Sequence, residues 1–262
     1  MTDETPSQPP PAREPLAFFG SGRGGALAVA LSVVALGLAA APYATGGGFG
    51  ERVRAYLIAN PQVLDEAVQA RQQAEEANRV QTINANVAAN AALLAPDPRD
   101  PAFGPTDAKV TVVQFFDYRC PGCKAVSEDF LALIRAHPDV RFVFKEWPIL
   151  DRGDDTTSND AARAALAAHA QGRYLAVHRA LMAEPALDPA AITRILAENG
   201  VDLARARAVI ASPDTDSLLD DIQTAGQTLR LVGTPTFLIT GRTTATINPV
   251  EVSAAIEAAK RS

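Results

Sequence analysis

Two cysteines three positions apart, Cys120 and Cys123, stand between a strand-like and a helix-like stretch, and this order restricts the fold more than any other feature of the chain. Val110-Thr-Val-Val-Gln-Phe-Phe116 is β-branched, aromatic and nearly all apolar, the pattern of a strand buried on both faces of a sheet. Asp117-Tyr-Arg is the turn after it. Lys124 to Ala136 then sets Val126, Phe130, Leu133 and Ile134 on one side of a helix. The order strand, C-x-x-C, helix carries chemistry. A thiol attacks a disulfide only as its thiolate. Unpaired N–H groups and the macrodipole at a helix N-terminus favour that anion. Cys120 is expected at that end, exposed, as the attacking thiol. Cys123 is expected one turn in, more shielded, able to reach the sulfur of Cys120 and resolve a mixed disulfide. Pro121 suits the first turn because it has no N–H to leave unpaired.

Other uses of the pair fit less well. The chain has 262 residues and only these two cysteines, whereas a secreted disulfide scaffold scatters several along its length. A closed, inert disulfide over three residues has little loop entropy to remove. A structural zinc site needs four ligands, and His137, His169 and His178 lie dispersed, so no metal site is expected. The alternative from another class is a soft-metal module, with the two thiols as copper(I) ligands. Its usual third soft ligand is missing nearby, since the methionines are Met1 and Met182. The net charge is −6 with no basic stripe, which argues against a nucleic-acid partner. No cofactor is called for.

The region after Ala136 completes an α/β sheet. Val140 to Trp147 reads as a second strand and Val232-Gly-Thr-Pro-Thr-Phe-Leu-Ile239 as a third, with Arg242 to Ile247 as a hairpin partner. Between them, about 158–230, lies a helical insertion, with Asp188-Pro189 and Asp202 as helix starts and Gly200 as a helix end. Asn248-Pro249 opens a last helix to Lys260.

Ahead of this domain the chain has three parts. Residues 1–22 form a Pro-rich tail expected to be disordered and cytoplasmic. Residues 23–45 read as a transmembrane signal anchor, or alternatively as a cleaved signal peptide, although Pro42 after the small residues Ala39-Ala40-Ala41 hinders cleavage. Arg23 at its N-terminal edge keeps the tail inside, so the catalytic domain is expected in the periplasm, inner-membrane-anchored by one span or secreted. Residues 50–95 read as a helical stalk, with Val53, Leu57, Leu64, Val68, Val80, Ile83, Val87 and Leu94 in a stripe thin for a core. That stripe suits a solvated spacer or a homo-oligomer contact. Residues 100–262 form the catalytic domain.

Phe115-Phe-Asp-Tyr-Arg-Cys-Pro-Gly-Cys-Lys124, Lys145-Glu-Trp-Pro-Ile-Leu150, Ser158-x-x-Ala-Ala162 and Gly233-Thr-Pro-Thr-Phe237 resemble the DsbA-like branch of the thioredoxin superfamily. Arg54-Ala-Tyr-Leu-Ile-Ala-Asn-Pro-Gln-Val-Leu-Asp-Glu-Ala67 resembles the N-terminal segment of ScsC-type proteins. The resemblance implies a thioredoxin fold with a helical insertion, catalytic Cys120 and Cys123, and a cis bond before Pro235, facing them with Thr234. Pro121, Gly122, Thr234 and Pro235 are thus the supporting residues. It also implies exported protein substrates, a membrane redox partner that recycles the pair, and a trimer. Gly122 stands where the strongest oxidants of the branch carry His, and Thr234 goes with reductases and isomerases, so a lean to reduction or isomerisation is expected. Asp117 and Glu146 are candidate proton acceptors for Cys123, against the plainer reading of a turn carboxylate and an ion-paired strand end. Asp151 to Thr157 looks like an insertion in this pattern.

Overall fold

The computed structural model describes residues 22–44 and 48–262. The expected tail, 1–22, lies outside the described residues but for Gly22, as do residues 45–47. The chain divides into two units, 1–71 and 72–262.

The first unit holds helix α1 (Gly22–Ala44), helix α2 (Gly48–Ala59) and the start of α3 (Gln62–Ala89). In α1, Leu27, Val29, Leu31, Val33, Val34, Leu36 and Leu38 are all exposed, and the apolar residues favour no one side. Among the described residues, no helix is long and apolar enough to cross a membrane. Over the expected anchor, 23–45, the structure thus shows a helix and not the span itself. Asn60 does not open α3 with its side chain. It donates from Nδ2 to the Tyr56 carbonyl (2.9 Å), which closes α2.

The second unit is built on a five-stranded sheet of order β1-β3-β2-β4-β5: β1 (Ala102–Phe103), β2 (Thr111–Phe116), β3 (Arg141–Glu146), β4 (Thr236–Ile239) and β5 (Arg242–Thr243). β2 and β3 are parallel, Val112 beside Phe142 and Phe116 beside Glu146. A parallel pair needs a crossover, and α4 (Pro121–Ala136) provides it. β4 runs antiparallel to β2, with Phe115 beside Thr236. Pairing thus begins at Thr236, four residues later than the expected strand, because Pro235 has no N–H to give a ladder. One consequence positions the site. The end of β2 that feeds the cysteines lies beside the start of β4, so the residues just before Thr236 face them.

Side chains of β2 alternate between two cores. Val112 and Phe116 join Phe130, Phe142, Phe144 and Phe237 on one face, where α4, α5 (Thr157–His169), α6 (Tyr174–Ala183), α7 (Pro189–Glu198), α8 (Leu203–Ile210) and α10 (Pro249–Lys260) contribute apolar side chains. Val113 and Phe115 join Trp147 and Leu238 on the other, with Leu218, Leu219 and Ile222 of α9 (Pro213–Thr228). Gly226 of α9 lies so close to Trp147 that a Cβ there would sit 2.5 Å from the indole. Ile83 and Val87 of α3 are buried in this second core. Burying such a side chain contributes roughly 1.5–3 kcal/mol, enough to hold that half of α3 on the sheet. The expected stalk over 50–95 therefore gives up its second half, from residue 72, to the catalytic unit. The stripe looked thin because only a few turns of it are used.

Candidate functional site

Cys120 is the N-cap of α4, with Pro121 at its first position. Its sulfur accepts from the Cys123 N–H (3.4 Å), the bond an N-cap Ser or Asp would make. Across from it, the Thr234–Pro235 peptide is cis, and the Thr234 carbonyl accepts from the Cys120 thiol at 3.1 Å. A Cβ on Gly122 would lie 3.4 Å from Pro235 Cδ and 3.7 Å from Cys120 Sγ. Thr234 and Gly122 thus lie beside this sulfur, with Pro235 against Gly122 and Pro121 opening the helix. Cys120 is 7% exposed and Cys123 0%, so the expected order of accessibility holds while the expected open exposure of Cys120 does not. The loop before Thr236 covers it.

Both thiols are free. Cys120 is lowered to about 5, first by the hydrogen bond from the Cys123 thiol, against burial, and further by a Thr234 side-chain bond and the N–H groups of Cys123 and Gly122. Cys123 is pushed far up, first by burial and then by its place beside the Cys120 sulfur. The two groups titrate as a pair, and the proton that leaves first comes from the Cys120 side. A thiolate held by donors beside a thiol that keeps its proton can attack one sulfur and be displaced by the other. Iodoacetamide alkylation of the reduced protein should therefore rise about tenfold between about pH 4 and pH 7 and then level off, following a midpoint near 5. A midpoint near 8 to 9, read by mass spectrometry of the labelled peptide, would remove the thiolate argument.

The two candidate proton acceptors are both engaged in structure. Asp117 accepts from the N–H of Arg119 (2.7 Å), Ile149 (2.8 Å) and Leu150 (3.0 Å) and from the Ser158 hydroxyl (2.9 Å). It ties the turn before Cys120 to the residues after β3. Glu146 is buried and accepts from Tyr174 (2.7 Å) and Tyr118 (3.1 Å), while Tyr118 also meets His178 Nδ1 at 3.0 Å. Burial holds the Glu146 carboxyl well above its usual range, against the two tyrosine bonds. Burial, with Arg179 nearby, holds His178 down at about 3, hence neutral. Glu146 is therefore no ion-paired strand end but the centre of a buried hydrogen-bonded cluster.

Several supporting residues had no sequence signal. Lys124 donates to the carbonyls of Leu181 (3.3 Å), Met182 (3.3 Å) and Glu184 (2.6 Å), fastening α4 to the end of α6. Arg119, next to Cys120, pairs with Asp155 (2.7 Å). Asp151 accepts from the N–H groups of Ser158 (2.7 Å) and Asn159 (3.0 Å) at the start of α5. The 151–157 insertion thus braces the residue before the redox pair and satisfies a helix end. Among the described residues, no group of three His, Cys, Asp or Glu is placed to hold a metal ion.

A cysteine pair at a helix N-terminus, set against a proline loop on a mixed sheet, is the arrangement of thiol–disulfide oxidoreductases of thioredoxin fold. The chain belongs to the thioredoxin family, whose model matches residues 97–258, and it carries the N-terminal domain described for the copper resistance protein ScsC over residues 48–78. A thioredoxin-like oxidoreductase from Silicibacter pomeroyi DSS-3 is 34% identical, with 63% of this chain and 95% of that one covered and a TM-score of 0.58. Proteus mirabilis ScsC in a compact conformation is 27% identical, with 75% and 96% covered and a TM-score of 0.53. A curated relative, Na(+)/H(+) antiporter NhaA 3 of Salinispora tropica, is 33% identical over 148 residues, 56% of this chain. The chain spans only 22% of that relative's length.

Proposed function

We propose that this protein exchanges disulfides with exported polypeptides, with Cys120 attacking and Cys123 resolving, and that it works as a reductase or isomerase more than as a strong oxidant. The observation that carries the reading is the Cys120 sulfur at the N-cap of α4, accepting from the Cys123 N–H and facing the cis Thr234–Pro235 peptide. The lean rests on Gly122, which supplies no imidazole beside Cys120, and on Thr234 before the cis proline. A nucleophile near 5 lies between the roughly 7 of a reductant such as thioredoxin and the roughly 3.5 of a strong oxidant such as DsbA. Those extremes correspond to potentials of about −270 and −120 mV, with an isomerase near −180 mV. An intermediate thiolate therefore fits shuffling. Refolding of ribonuclease tests it: scrambled enzyme should be rescued in glutathione buffer faster than reduced enzyme is oxidised. Rapid oxidation without rescue would overturn the lean.

Location and assembly follow the same reading. The apolar α1 is taken as an export segment, anchoring the chain in the inner membrane or cleaved from it, with the redox domain in the periplasm and a membrane redox partner recycling the pair. Thiol labelling from outside intact cells should reach Cys120. Labelling only after lysis would reverse the orientation. In the first unit Val53, Tyr56, Ile58, Leu64 and Val68 remain exposed along α2 and α3, which supports a homotrimer through this segment. Light scattering should give about three times the monomer mass for residues 50–262 and the monomer mass once residues 50–71 are also removed. Two monomers would end the proposal.

A further inference from the structure

A groove of about 260 Å³ opens beside the redox pair. Gly122 forms one end, Thr234, Pro235 and Thr236 line it, Val232 and Ile247 stand at its lips, and Arg79, Val80 and Ile83 of α3 form a wall. This volume is below the roughly 300 Å³ at which small-molecule pockets begin, so it suits one or two residues of an extended chain. Any polypeptide sulfur that reaches Cys120 must bring its neighbouring residues over this groove. Val232 and Ile247 are 70% and 43% exposed, and they offer apolar surface to such a chain.

The α3 wall is fixed to the same unit as the cysteines. Ile83 and Val87 are buried, Asn84 Oδ1 accepts from the Thr243 N–H (2.8 Å), and Asn86 donates to the Leu229 carbonyl (3.3 Å). Arg79 is four residues before Ile83, hence on the same side of the helix. It is the one charged side chain among the described groove-lining residues. It pairs with Glu76, which does not line the groove, through one guanidinium nitrogen. An arginine has five N–H donors, so this pair leaves donors for a second carboxylate.

We propose that α3 acts as a client-selecting wall, with Arg79 reading an acidic side chain close to the exchanging cysteine of an extended polypeptide. This rests on the exchange reading above and names its substrate preference. An exposed ion pair contributes about 0.2–1 kcal/mol. Attraction to an acid together with repulsion of a base should therefore separate the two substrates by about two- to thirtyfold.

The test uses the full chain and short peptides, each carrying one cysteine in mixed disulfide with glutathione and flanked by Asp, Asn or Lys. Wild type, kept reduced by excess reduced glutathione, should reduce them with kcat/KM in the order Asp, Asn, Lys, and raising the salt should compress the spread. Arg79→Gln should bring the Asp-to-Lys ratio to about one, and Arg79→Glu should invert it. Exchange with hydroxyethyl disulfide, which carries no charge for Arg79 to read, should be equal in all three proteins. An Asp-to-Lys ratio unchanged in Arg79→Glu would overturn the selecting wall. Loss of exchange with hydroxyethyl disulfide in wild type would overturn the exchange reading instead.

Discussion

Cys123→Ser should accumulate mixed disulfides with client polypeptides, and Cys120→Ser should accumulate none while losing at least about a thousandfold in exchange rate. The asymmetry comes from the protonation of the pair. On the proposed roles the Cys120 thiolate attacks a client disulfide, its sulfur bonds to the nearer client sulfur, and the other client sulfur leaves as thiolate and takes up a proton. The Cys123 thiol must then lose its proton and attack the Cys120 sulfur, which expels the client. Burial opposes that deprotonation throughout, and the opposition of the Cys120 charge ends once the mixed disulfide has replaced it. A serine at 123 has no sulfur to attack with, so the adduct persists. A serine at 120 leaves only Cys123, fully buried and strongly protonated. Since only the thiolate reacts, that thiol is nearly inert at neutral pH. Non-reducing gels of cells carrying each variant, with bands identified by mass spectrometry, give the readout. Exported clients and a membrane redox partner are both expected among the Cys123→Ser adducts. Equal trapping by the two variants would show that the roles are not divided this way.

The parts of this site that could be read from the chain are those with a local cause. β2 and α4 follow from a run of apolar residues and a helical period, and Asp188, Asp202 and Asn248 cap their helices through side-chain oxygens as their types suggest. Ser212-Pro213 carries the same signal, and α9 starts there. β1 has two residues and no period to detect; it exists because Ala102 and Phe103 find Val143 and Phe142 in register. The burial of Cys120 depends on a loop more than 110 residues later in the chain closing over it. Glu146 had a strand position and a charge but no partner in sequence. Tyr118, Tyr174 and His178 reach the cluster from a turn and from α6, and only the fold brings them together. The use of Ile83 and Val87 in the core was hidden for the same reason, because their partners are Phe115, Trp147 and Leu238.

Gly122→His should make the couple a stronger oxidant, raising its reduction potential by about 30 mV for each tenfold stabilisation of the Cys120 thiolate. Space permits the change. A Cβ at 122 would lie at ordinary contact from Pro235 (3.4 Å) and Ile247 (3.9 Å), and 3.7 Å from Cys120 Sγ. An imidazolium there adds positive charge beside the anion and lowers its pKa further. The reduced protein at neutral pH is one thiolate and one thiol, so the disulfide takes up two electrons and one proton. The potential of wild type should therefore fall by about 30 mV per pH unit above the Cys120 midpoint near 5, and about twice as steeply below it. The sign for stability follows from the same depressed pKa. The thiolate stabilises the folded reduced protein fully above the unfolded thiol value near 9, and that contribution is lost as pH falls through about 5. In Gly122→His the lower limit moves down, and the reduced form gains on the oxidised form at pH 7. Equilibration against glutathione, with Gly122→Gln as the neutral control of similar size, measures the shift. Ribonuclease assays on the same samples should show faster oxidation of the reduced form and weaker rescue of the scrambled form. If the histidine variant keeps the potential of the glutamine variant, the Cys120 thiolate is not what sets the redox poise of this protein.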